Sequence, residues 1–233
     1  MVDEAAGRDL MLEYSRTPLA SDRVDRILEQ LTHHATQVLE VDGAGAVIDG
    51  EERRRVVIAT SEAILRLEED VVTNELSPCY EASTRKAPVE AADLALLSDQ
   101  WPGYCRAAST LGFRSVLSLP LDIQDTALAA LGLYRRAART WSPEEIATAQ
   151  LLAEVASARL RDLRALIGAR RLAGQLQQAL DSRVVIEQAK GMIAARRGID
   201  VATAFEVLRR HARDTNRNLQ EVADEVVRSS RGR

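Results

Sequence analysis

The feature that most constrains this 233-residue chain is a helix start at Ser142 with no breaker before Gly168. Ser142 supplies a cap, Pro143 suits the first turn and Glu145 completes a capping box. Ile146, Ala149, Leu152, Ala156, Leu160, Leu163 and Ile167 then recur at three- and four-residue steps, the spacing of a helix-helix seam. Pairing with a second copy through that seam, a homodimer, is the expectation.

Upstream of this helix the chain reads as a mixed domain. Residues 1–20 show no sustained periodicity and include Pro18, so they read as a leader with little fixed structure. Ser21 looks like the cap of a helix carrying Val24, Ile27, Leu28, Leu31 and Val38. His33 and His34 sit in that helix, but adjacent residues point in different directions and make a poor metal pair. Residues 43–50 and 53–60 read as a hairpin, 61–72 as a helix, and Ser77, Pro78, Cys79 and Tyr80 as a break, with one further turn over 81–85. Next come a short strand over 89–92, a helix ending at Gly112, and strands over 115–121 and 128–134. The order predicts an α+β domain over 21–163, an antiparallel sheet with flanking helices.

Downstream of the seam the chain reads as all helical. A linker over 164–180 continues the coiled coil, and 181–233 carries three short helices. The first holds Val184, Ala189 and Ile193 on one face and is interrupted by Gly191, where alanine would favour the helix by about 1 kcal/mol. Tight packing of a neighbouring helix explains such a glycine, and so does close approach of a partner. Asp200 caps the second helix, with Ala204, Phe205, Leu208 and Ala212, and Asn218 with Glu221 opens the third. Together they make a small three-helix bundle.

Charge separates the two parts. The chain carries a net charge of -4, yet 181–233 holds 11 Lys and Arg against 8 Asp and Glu, which leaves -7 on the first 180 residues. A basic end on an acidic body suits a nucleic-acid module. No apolar run reaches the roughly 20 residues of a membrane span, and the first residues lack an export signal, so the expected location is cytoplasmic. Cys79 and Cys105 are too few for a disulfide framework or a metal cluster, and no metal or cofactor is expected. No nucleophile-base pair, acid pair or phosphate loop is present, so the chain does not read as an enzyme.

The wording of the C-terminal helices resembles the ANTAR domain of transcription antitermination regulators. The resemblance rests on Ala179 and Leu180, Ser182 and Arg183, Val185 to Gly191, Ala204 and Phe205, Leu208 and Arg209, Ala212, and Leu219 to Ala223. Met192, Ile193 and Ala194 depart from the family's bulkier apolar run. The first part resembles a GAF domain of the type that precedes ANTAR domains, through Asp42 to Gly45, Ala59 to Ser61, Pro78 and Cys79, Trp101 and Pro102, Gly112 to Leu121, and Leu131 to Tyr134. Ser77 stands where that family commonly has glycine. The resemblance implies a sensor that controls binding to RNA hairpins in nascent transcripts.

Chemistry then selects candidates. Splayed RNA bases and close phosphates suit planar arginine donors, lysine charges and a bare glycine backbone. The candidate RNA face is Arg183, Gln188, Lys190, Gly191, Arg196, Arg197, Arg209, Asn216 and Arg217, with Glu187 placed to orient Arg183. In the first domain, Cys79, Tyr80, Trp101, Tyr104 and Phe113 could line a small-molecule pocket or serve as core anchors. Cys79 reads as a redox-sensing thiol if exposed and as core if buried. A DNA-binding regulator and an interaction protein that binds no nucleic acid remain the alternatives.

Overall fold

The computed structural model describes residues 23–50, 55–73, 77–123 and 126–231. The expected leader and the Ser21 cap lie outside the described residues. The chain forms two compact units, Met1–Ala165 and Leu166–Arg233.

The first unit is built on β1 (Gly43–Gly50), β2 (Arg55–Ala59), β3 (Val89–Ala91), β4 (Ser115–Pro120) and β5 (Thr126–Arg135), in the order β2-β1-β5-β4-β3. Every neighbouring pair is antiparallel. Side chains alternate between faces along each strand. Ala46 and Ile48 of β1 and Leu131 and Leu133 of β5 join one buried cluster, while Val47, Ala130 and Tyr134 join another. Both faces are therefore covered, which is why the central strands read as nearly continuous apolar runs.

Helix α1 (Val24–Leu39) contributes Ile27, Leu28 and Leu31 to the first cluster. The second cluster takes residues from α2 (Glu62–Thr73), α3 (Pro78–Arg85) and α4 (Pro102–Thr110). The break expected at Pro78 is instead the start of α3: the Ser77 hydroxyl accepts a hydrogen bond from the Tyr80 amide at 3.2 Å, and proline fits the first turn. Gly112 ends the loop after α4 with φ +83°, a conformation that favours glycine.

Helix α5 (Pro143–Arg197) begins with the anticipated capping box. The Glu145 amide donates to Ser142 Oγ at 3.2 Å, and the Ser142 amide donates to Glu145 Oε2 at 2.9 Å. Arg135, only 5% exposed, donates to Glu145 Oε1 at 2.7 Å and to the Leu39 carbonyl at 3.3 Å. Its guanidinium lies 3.8 Å from the Trp141 ring centroid. The helix is thus fastened to β5 and to the end of α1 at its first turn.

The expected dimer seam is corrected here. Ala149, Leu152, Ala156, Leu160 and Leu163 are buried with Ile27, Leu119 and Leu131 in the unit's own core, and Ile146 packs against it. Only Ile167 of that set stands exposed, at 53%. Three- and four-residue spacing specifies a helix with one buried face; it does not specify what covers the face.

In the second unit α5 continues without interruption, so the separate helix expected over 181–198 is its final part. Leu172, Leu176, Leu180 and Val184 along this stretch are each more than half exposed. Gly198, at φ +65°, stops the helix. Then come α6 (Val201–Asp214), whose Thr203 amide donates to Asp200 Oδ1 at 2.9 Å, and α7 (Leu219–Arg231), whose Gln220 amide donates to Asn218 Oδ1 at 2.9 Å. Ala189, Leu208, Ala212, Val222, Ala223 and Val227 make the bundle core.

Candidate nucleic-acid interface

The bundle core takes Leu208 and Ala212 from α6, which turns Phe205, Arg209 and Arg213 toward one flank of that helix. Lys190 comes from α5 to the same flank, its Nζ 5.0 Å from the Phe205 ring centroid, and the Arg209 guanidinium lies 5.6 Å from that centroid. Beyond them a groove of about 420 Å³ is lined by Arg209, Ala212, Arg213, Asn216, Arg217 and Leu219. Asn216 holds φ +49° at the turn from α6 to α7, a left-handed conformation that asparagine tolerates better than most residues. Lysine, aromatic ring and three arginines therefore form one band.

Several carboxylates keep this band ordered. Lys190 donates to both oxygens of Glu187 at 2.9 and 3.0 Å, so Glu187 orients Lys190, in place of the Arg183 expected from spacing. Arg217 donates to Glu225 Oε2 at 2.7 Å, and Arg209 lies 3.6 Å from Glu206. The two arginine pairs are exposed, so they steer side chains more than they stabilise the fold, whereas Lys190 is largely covered. A phosphate can displace such partners, because its oxygens offer similar acceptors to the guanidinium fork.

The structure brings Lys190, Arg209, Asn216 and Arg217 of the expected RNA face together. Arg183, Lys190 and Arg197 are seven residues apart on α5 and share one helical strip. Gln188 falls on a different side of that helix by the same geometry. Arg196 and Arg197 occupy its last turn, where cations complement the helix dipole, so their presence has a local explanation. Gly191 is exposed, and a Cβ built there meets nothing within 4 Å, which removes tight packing inside the unit as its reason. Sequence reasoning missed Arg213 and Phe205. The four-residue steps from Phe205 through Arg209 to Arg213 carried that signal.

In the first unit the expected pocket residues surround a group that sequence reasoning missed. Glu68, on α2, is wholly buried against the sheet face where Gly45 of β1 and Gly132 of β5 stand opposite each other. A Cβ on either glycine would come within 2.7 Å of the Glu68 side chain, so the missing side chains make its space. Tyr134 Oη donates to Glu68 Oε1 at 2.7 Å, and Cys79 Sγ lies 3.9 Å from the same oxygen and 3.4 Å from Ser118 Oγ. Glu68 Oε2 and Tyr104 Oη are buried without hydrogen-bond partners among the described residues. Burial raises the Glu68 carboxyl to about 7, against the pull of its bonds from Tyr134 and Cys79.

Cys79, Trp101, Tyr104 and Phe113 are all core residues here, and Tyr80 is half-buried beside them. Trp101 Nε1 donates to Glu81 Oε2 at 3.2 Å. Cys79 takes the core alternative: the thiol is inaccessible, and burial together with the Glu68 charge pushes its pKa well up, which suppresses the nucleophilic thiolate. The signal for Glu68 was legible as an acid one turn beyond Ile64 on an apolar helix stripe.

Among the described residues no group of three metal-ligating side chains occurs, and no helix is long and apolar enough to cross a membrane. The GAF domain family matches residues 23–160, and the ANTAR domain family matches residues 174–227. The fold of the first unit is similar to a GAF domain from a phosphoenolpyruvate-protein phosphotransferase of Coxiella burnetii, with 17% identity and a TM-score of 0.53 over 70% of this chain and 95% of that one. A GAF domain from the corresponding Acinetobacter protein gives 9% identity and a TM-score of 0.52 over 69% of this chain and 93% of that one. At these identities the likeness concerns fold alone. No curated protein matches the chain.

Proposed function

This chain belongs to the GAF domain family and carries an ANTAR domain behind its GAF domain, and on that premise we propose a signal-responsive antitermination regulator that binds hairpins in nascent RNA. ANTAR domains are RNA-binding domains of antitermination regulators, GAF domains are sensors, and neither is a catalytic family. The observation that carries the proposal is the band formed by Lys190, Phe205, Arg209, Arg213 and Arg217 within the span that matches ANTAR. Arginines set a turn apart can follow successive phosphates, and a bare backbone at Gly191 lets a strand approach closely.

In this reading two copies pair along α5 beyond the sensor, through Leu172, Leu176, Leu180 and Val184. Support comes from their exposure, since four large apolar side chains on successive turns leave a stripe that water alone covers poorly. The sensor's stimulus acts at the Glu68 nest. A small ligand that donates to Glu68 Oε2 and accepts from Tyr104 Oη would satisfy both orphaned atoms.

The test is binding of the full chain to a pool of RNA hairpins across a salt series. Retention on hairpins, with Arg209→Ala and Arg213→Ala each lowering the salt slope by about one, supports the proposal. Tighter retention on duplex DNA at matched salt favours a DNA-binding regulator, and no salt-dependent binding to either leaves an interaction protein.

A further inference from the structure

We propose that Phe205 is a stacking platform for one unpaired nucleobase of the bound RNA, with Lys190 and Arg209 as the cations that hold the base's edge and its phosphate. The inference rests on the RNA-binding reading and adds what that reading lacks, a group that recognises a base. Phe205 is the one Phe, Tyr or Trp in 166–233. It is half-buried and stands outside the apolar cluster formed by its neighbours Leu208 and Ala212. A phenylalanine used only to fill a bundle of this size would be drawn into that cluster. This one is placed at the flank, with two cations within 6 Å of its ring centroid.

The arrangement favours a base over the present neighbours. An exposed cation-ring contact is weak, whereas a base stacked on an aromatic ring gains more and tolerates any base identity, because every base has a π face. A base on the ring displaces the Arg209 guanidinium, whose ion pair with Glu206 is a loose 3.6 Å. The guanidinium then meets the phosphate that arrives with the base. Lys190 stays, because Glu187 fixes it through two hydrogen bonds and only 16% of its side chain is exposed. Its ammonium offers donors to a ring nitrogen or carbonyl on the base edge. A paired base inside a duplex cannot present its face in this way, so the platform requires a loop, bulge or end.

The experiment is a cycle between Phe205→Leu in the full chain and single abasic substitutions along the loop of a bound hairpin. Leucine keeps apolar bulk but has no π face, and circular dichroism melting checks that α6 remains folded. Phe205→Leu should bind about tenfold more weakly with the salt slope of the wild type, and Phe205→Trp should bind like the wild type. One abasic position should weaken the wild type about tenfold and leave Phe205→Leu unchanged. The platform is overturned if Phe205→Leu binds within twofold of wild type, if its loss comes with a reduced salt slope, or if no abasic position weakens wild type. The last outcome is read on the unmodified protein, so it stands even if the leucine variant fails to fold. Failure of wild type to bind any hairpin sinks the RNA reading itself; binding that ignores Phe205 sinks the platform alone.

Discussion

At the scale of single residues, the two least ordinary positions are a carboxylate inside the sensor and a bare backbone on α5. Glu68 has its pKa raised from an ordinary 4.5 to about 7 by burial, so the folded chain holds a proton that the unfolded chain has released over that interval. Stability is therefore fully present below about pH 4.5, falls as pH rises to about 7, and is flat beyond. The drop is about 3 kcal/mol at most. Glu68→Gln should abolish it and leave the chain more stable at pH 8 than wild type; urea midpoints measured from pH 4.5 to 8 decide this. Glycine substitutions should split by sign. Gly191→Ala places a methyl in open space and should stabilise the helix by about 1 kcal/mol, while Gly45→Ala collides with the Glu68 side chain and should lower the melting temperature. A Gly191→Ala protein that melts higher but binds hairpins less well would mark that backbone as a contact surface. Glu68 and Phe205 both escaped sequence reading for the same cause. Helix spacing marks each position, and only the neighbours brought from other elements, Tyr134 with Cys79 for the one and Lys190 for the other, give it a role.

At the scale of elements, α5 shows where sequence reading succeeds and where it stops. Its start was legible to the residue, because Ser142, Pro143 and Glu145 encode local hydrogen bonds that need no tertiary partner. Its apolar face was legible too, but the partner was misassigned: Leu152, Leu160 and Leu163 meet their own sheet and α1 instead of a second copy. At α3 the sequence and the fold part: Pro78 reads as a breaker in the sequence and serves as a first-turn residue in the helix. The five strands were legible because short apolar runs bounded by turn residues mark them, and their order across the sheet was not, because pairing is settled by contacts distant in sequence. If copies of the chain pair along the exposed later stretch of α5, Leu176→Glu should convert a dimer to a monomer in light scattering while leaving the helical signal of both units in place. Leu152→Glu should instead destabilise the sensor by several kcal/mol, since it buries a charge in the core.

At the scale of the whole molecule, a paired chain carries two RNA faces, and geometry then multiplies affinity without any new contact. A transcript bearing two hairpins should be retained at least tenfold more tightly than one bearing a single hairpin. Leu176→Glu should erase that advantage and spare single-hairpin binding, and titration of both RNAs at fixed salt separates the two effects. The division into a sheet-containing unit and a helical bundle was plain from periodicity and charge, since both are properties of long windows.

The placement of Trp101 and Trp141 has a practical corollary. Both lie in the sensor's buried clusters, and 166–233 contains no tryptophan. Intrinsic emission thus watches the sensor while the bundle stays dark. Trp141, with the Arg135 guanidinium against its ring where α5 begins, is an optical gauge of whether a stimulus loosens the root of that helix.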